Sequence, residues 1–186
     1  MRATTPDDLP EGPHRDRARA AMKIDSEKRV KKLDELLGGK KKTQYPEQDL
    51  QISLIKMARE WPMQLLLSKA WPNEVRKSYL GDWLYHIPNG GYRSGVEAGI
   101  FKAMGVMPGV LDLFCMIPTT RSAGMYMELK AGDGKLTDTQ QLFRARAQLI
   151  GYKCVEVRTA HEFVGGVEDH LIGAGPNFLG EINEPC

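Results

Sequence analysis

The chain has 186 residues, enough for one domain with tails and a buried core. Its hydrophobic (41%) and charged (27%) fractions are ordinary for a globular protein, and a net charge of +2 points to no partner. Three scattered cysteines (Cys115, Cys154 and Cys186) lack zinc-site spacing, and no apolar run nears the ~20 residues of a membrane span; with no apolar leader after Met1, a soluble, cytoplasmic protein is expected.

In chain order, residues 1–42 read as a charged extension. Pro6, Pro10, Gly12 and Pro13 predict poor order at its start. From Ser26, "EKRVKKLDELL" spaces Val30, Leu33 and Leu37 as a short amphipathic helix, stopped by Gly38-Gly39. Lys40-Lys41-Lys42 can hold a polyanion or simply stay solvated. A folded domain is expected over 43–174. It opens on a helix entered at Pro46, with Glu47 and Asp49 in its first turn and an apolar stripe of Leu50, Leu54, Met57 and Trp61. Residues 62–85 read as further helix, interrupted by Pro72. "YHIPNGGYRSG" is a loop, followed by a helix over 95–104. Strands are predicted over 110–117 and across "MYMELKA", with "PTTRSAG" as the turn between them. Thr137 then caps a helix to about Ile150, which Gly151 ends. "YKCVEVR" is a third strand and 161–172 a last helix, before a loose tail over 175–186. This is an α/β domain around a small mixed sheet flanked by helices.

The chemistry sits where the pattern is least apolar. Alternation puts Tyr126, Glu128 and Lys130 on one face of a strand and Met125, Met127 and Leu129 on the other. Asp112 is an acid inside the preceding apolar run. Antiparallel pairing would bring it beside Glu128 near one sheet edge. Two adjacent carboxylates repel, and burying them is costly without compensation. Lys130 offsets only one of them. A hard divalent cation such as Mg²⁺ is the simplest remedy, since it binds through one or two carboxylates, waters and phosphate oxygens. Lys130 would then orient water or offset phosphoryl charge, and Gln140 would reach back from the first turn of the next helix. Each residue alone has a plainer reading: a solvated Glu–Lys pair, an aspartate capping a turn, a surface glutamine, a first-turn Glu47 favoured by the helix dipole, a satisfied loop His86. The joint pattern carries the functional reading.

In order and spacing, "HIPNGGYRS", "FKAMGVMPGVLDL", "MELKAGDGKLTDTQ" and "GYKCVEV" resemble the VRR-NUC domain, a branch of the PD-(D/E)XK nucleases found in phage proteins and in the eukaryotic Fanconi-associated nuclease. The match covers about 47–171. The resemblance implies a restriction-endonuclease-like αβββαβ core that uses Mg²⁺ or Mn²⁺ to hydrolyse phosphodiester bonds, a chemistry used in DNA repair. By position, Asp112 corresponds to the family aspartate, Glu128 and Lys130 to its E-x-K, Gln140 to its helix glutamine and Glu47 to the acid of its first helix. Asn89, Gly90, Gly91 and Arg93 match its loop motif. Leu111 departs from the proline that often precedes the aspartate. The chain is similar in size to stand-alone phage members, which implies a homodimer acting on branched DNA such as Holliday junctions. The expectation is therefore a metal-dependent endodeoxyribonuclease. Asp112, Glu128 and Glu47 would serve as metal ligands, Lys130 and Gln140 would complete the catalytic set, and His86, Asn89, Arg93 and Lys102 would contact DNA. The rival is a non-catalytic DNA-binding or replication-complex module on the same fold.

Overall fold

The computed structural model describes residues 46–88 and 95–176, together with Glu27, Lys28, Val30, Lys31 and Glu35. Helix α1 (Pro46–Arg59) starts at a proline, whose missing N–H costs nothing in a first turn. Glu47 and Asp49 near its start and Lys56 and Arg59 near its end complement the helix dipole. Leu50, Leu54 and Ala58, spaced by four, form its buried stripe.

Residues 62–85 are not a further helix. Pro62 and Pro72 each remove a backbone donor. Between and after them the chain forms short pieces: 3₁₀ turns at Met63–Leu65 and Leu80–Asp82, one helical turn α2 (Asn73–Arg76), and strand β1 (Leu84–His86). A three-residue strand at a sheet edge carries too little periodicity to be read locally. Helix α3 (Gly95–Ala103) follows, then β2 (Leu113–Cys115) and β3 (Met125–Leu129). Strand β2 is shorter than the expected 110–117, and Asp112 immediately precedes it. Helix α4 (Asp138–Leu149), strand β4 (Lys153–Val157) and helix α5 (Ala160–Leu171) complete the domain. Thr137 caps α4 as expected, with a reciprocal capping box to Gln140; Thr159 and Glu162 repeat the device on α5.

The sheet runs in the order β1-β2-β3-β4. The first two pairs are antiparallel and the last is parallel, with α4 as the crossover that parallel pairing requires. Together with α1 this is the αβββαβ order, with α3 inserted between β1 and β2. One sheet face carries Leu113, Met125, Met127, Leu129 and Val157 into the main core, beneath Leu54 of α1 and Phe163 and Leu171 of α5. The other carries Tyr126, which joins Phe143 of α4 and Tyr152 around a smaller cluster of Leu111, Ala147 and Cys154. Of the N-terminal helix, the five described residues are helical and Val30 packs on the main core. Of the tail expected over 175–186, only 175 and 176 are among the described residues: Pro176 bridges Thr119, and the Thr120 N–H bonds the Gly175 carbonyl. Among the described residues, no helix is long and apolar enough to cross a membrane.

His170 of α5 ties the β2–β3 turn to this core. It is 2% exposed. Its Nε2 lies 2.9 Å from the Ile117 carbonyl, an acceptor only, so Nε2 carries the proton and Nδ1 accepts from Ser122 Oγ at 3.1 Å. Arg121 donates to the His170 and Ile172 carbonyls alongside it. Burial holds the His170 pKa down at about 4; the Ile117 hydrogen bond opposes this, and the charges of Lys153 and Arg121 add to it. The imidazole is thus neutral when folded, whereas in the unfolded chain it binds a proton below about pH 6.5. Its contribution to stability is complete above that pH and is lost as pH falls toward 4, by on the order of 3 kcal/mol in all. Urea unfolding at pH 7.5 and 4.5 should show this loss in wild type and a much smaller one in His170→Gln.

Candidate active site

Register places the acids. Leu113 is opposite Met127, so one step further sets Asp112 beside Glu128. Strands β2 and β3 are the two inner strands, so the acids meet at strand ends in the middle of the sheet and not at its edge. Glu128 is 1% exposed. Its Oε1 receives Lys130 Nζ at 2.7 Å and Gln140 Nε2 at 2.5 Å. Its Oε2 is buried with no hydrogen-bond partner. Asp112 Oδ2 accepts from the Leu129 N–H at 2.8 Å, and Glu47 Oε1 from the Ala131 N–H at 3.0 Å. Each of the three carboxylates therefore has one oxygen held by a protein donor.

Burial pushes the Glu128 carboxyl up to about 7; the Lys130 hydrogen bond opposes this, and the Asp112 and Glu47 charges add to it. Burial also raises Asp112, against the Leu129 N–H and the Lys130 charge. The site is short of positive charge, because Lys130 faces three acids. Among the described residues, no group of three or more His, Cys, Asp or Glu side chains is arranged to hold a metal ion. Burial pushes the Cys115 thiol up to about 11, which leaves no thiolate for chemistry near neutral pH.

Gln140 does two jobs through one amide. Its Oε1 accepts from the Thr137 N–H at 2.9 Å, and its Nε2 faces Glu128. A glutamate would satisfy the same capping box but would set a third carboxylate against Glu128. The adjacent Gln141 bonds the Leu136 carbonyl instead. His86 is exposed at the end of β1, with Nδ1 2.9 Å from the Asp112 carbonyl. That carbonyl also takes the Ile87 N–H at 2.8 Å, so β1 fixes the backbone beneath Asp112. Lys102 is exposed in the last turn of α3. Asn89 and Arg93 lie outside the described residues.

Three charged residues escaped the sequence reading. Glu156 sits opposite Glu128 on β4 and bonds Arg144 at 2.9 Å and Arg158 at 3.1 Å. Arg158 also donates to the Gly132 and Gly134 carbonyls, both at 2.8 Å, and so holds the turn after Lys130. The signal was present in "YKCVEVR": Cys154, Glu156 and Arg158 alternate as Tyr126, Glu128 and Lys130 do.

No protein-family model matches the sequence, and no curated protein matches it. Among solved structures, the chain is similar to a VRR_NUC domain protein, with a TM-score of 0.53 and 20% identity over 67% of this chain and 86% of that one. At that identity the likeness speaks for architecture alone. The chain has the fold of that VRR_NUC domain protein, an α/β fold with a four-stranded mixed sheet.

Proposed function

We propose that the protein is a metal-dependent endodeoxyribonuclease. The observation that carries this reading is Glu128: a buried carboxylate with one oxygen clamped by Lys130 and Gln140, the other bare, and a second acid beside it. A buried, unpartnered carboxylate oxygen is costly, and a cation is the partner that relieves it. The donors are all hard oxygens, which suits Mg²⁺ or Mn²⁺ over softer metals. Asp112 and Glu128 would hold the ion, with Glu47 directly or through water. Waters and phosphate oxygens would fill the remaining positions. When bound, such an ion supplies stabilisation of phosphoryl charge and an acidified water.

The chain's own residues do the rest. Lys130, with its side chain 12% exposed, presents Nζ beside Glu128, where it would orient the attacking water and offset charge on the phosphoryl group. Gln140 would keep Glu128 from rotating away. His86, Asn89, Arg93 and Lys102 would contact the DNA backbone. Selectivity for branched DNA such as Holliday junctions, and a homodimer presenting one site to each of two strands, complete the proposal and rest on the resemblance to phage VRR-NUC proteins.

A nicking assay on duplex, flap and four-way junction DNA tests this directly. Wild type should cut at least one substrate with Mg²⁺ or Mn²⁺ and none in EDTA, and Lys130→Ala should cut it about 10²–10³-fold more slowly. If both proteins are inert yet bind DNA equally, the protein is a binding module and the enzyme reading fails.

A further inference from the structure

The three charged residues missed by the sequence reading line a cleft that the proposed chemistry does not use. It opens between α4 and β4, has a volume of about 410 Å³, and is bounded by Lys135, Gln141, Arg144, Gln148, Glu156 and Arg158. Three cations surround one acid. Glu156 bridges the two arginines with one oxygen each, which fixes both guanidinium planes without neutralising the group. Arg158 is further pinned by the two turn carbonyls, and Lys135 and Gln148 are exposed at the rim. Pre-oriented guanidinium groups in a concave, cationic surface are suited to phosphate, which accepts several N–H donors at once.

The position of the cleft says which phosphate. Glu156 lies opposite Glu128 on the neighbouring strand, roughly 4.8 Å away in the sheet, while charges along one nucleic-acid strand recur about every 3.4 Å of axis. A strand whose reacting phosphate sits at Glu128 has another phosphate within reach of the cleft. We propose that the α4–β4 cleft is a second phosphate site, which holds a backbone phosphate of the bound DNA strand next to the reacting one. The proposal rests on the nuclease reading for its ligand. It predicts that part of the affinity comes from the side of the sheet where α4 packs. Because Arg158 also holds the turn that follows Lys130, the same contact would steady the catalytic lysine when DNA is bound.

The test is binding by fluorescence anisotropy to labelled duplex and four-way junction, in EDTA, across a salt series. Lys135→Gln/Arg144→Gln should flatten the dependence of log affinity on log salt by about 1, and should weaken binding about equally for every sequence. Gln148→Glu, which adds an anion at the exposed rim with little risk to the fold, should also weaken binding. Lys77→Gln, which removes an exposed lysine outside the cleft, should leave the slope unchanged. A folded double variant with the wild-type slope overturns the proposal, as does an equal loss in Lys77→Gln. The two readings fail separately. A wild type that cuts DNA while the double variant keeps its full slope removes the phosphate site alone. A wild type that cuts nothing while the double variant loses its slope removes the nuclease alone.

Discussion

Replacing Glu128 with glutamine is expected to abolish metal-dependent cleavage, by about 10³-fold or more, while making the metal-free protein more stable. The loss follows from removing the charge at the bare Oε2, where the cation would bind. The gain follows from burial. The folded pKa of about 7 exceeds the unfolded value of about 4.5, so the native state pays for ionising Glu128 as pH rises between the two, and bears the full penalty above them. Glutamine removes that charge and keeps an oxygen for Lys130. It also leaves a buried amide that needs a partner, so the net gain is about 1–2 kcal/mol, or a rise of roughly 2–8 °C in Tm for a chain of this size. The gain should be largest near pH 8 and vanish near pH 4. Thermal melts of both proteins in EDTA at the two pH values check this. A variant less stable than wild type at pH 8 would mean that the Lys130 ion pair outweighs the burial penalty. In wild type, Mg²⁺ or Mn²⁺ should raise Tm; in the variant the shift should shrink.

Gly109→Ala should cost about 3–5 kcal/mol and disturb the same site from outside. Gly109 has φ +83°, a conformation that disfavours any side chain with a Cβ. An added Cβ would also lie 2.4 Å from the Thr139 carbonyl carbon and oxygen and 2.8 Å from Gln140 N. Those atoms are backbone in the first turn of α4, so relief requires moving the helix start. Gln140 would move with it, and Glu128 would lose a clamp. Chemical denaturation should show the stability loss. At a temperature where the variant remains folded, cleavage should still fall well below wild type. Normal cleavage by a destabilised variant would show that the α4 terminus need not be fixed for function.

The two substitutions act on different kinds of information. Asp112, Glu128, Lys130 and Gln140 were legible only as a set, because local pattern places them: an acid inside one apolar run, a Glu-x-Lys on one face of the next strand, and a glutamine in the first turn of the helix that follows. Helices α1, α4 and α5 were legible for the same reason, since proline entry, capping residues and four-residue spacing act within a few residues. Residues 62–85 were not. They are as apolar as a buried helix, and only their packing against α1 and the partner offered by β2 turn part of them into a strand.

By itself, then, the sequence determined the order of elements from residue 95 onward, the alternation on β3 and the identity of the clustered polar residues. Tertiary structure decided that the acids meet at the ends of inner strands, and that Glu128 keeps one oxygen bare while the other takes two donors. It also decided that Glu156 gathers Arg144 and Arg158 into a cationic cleft beside the acids. The physical reason is range. Caps and periodicity are settled by neighbours three or four residues away, whereas strand register, burial of a charge and the choice of its partner depend on residues brought together only when the sheet forms.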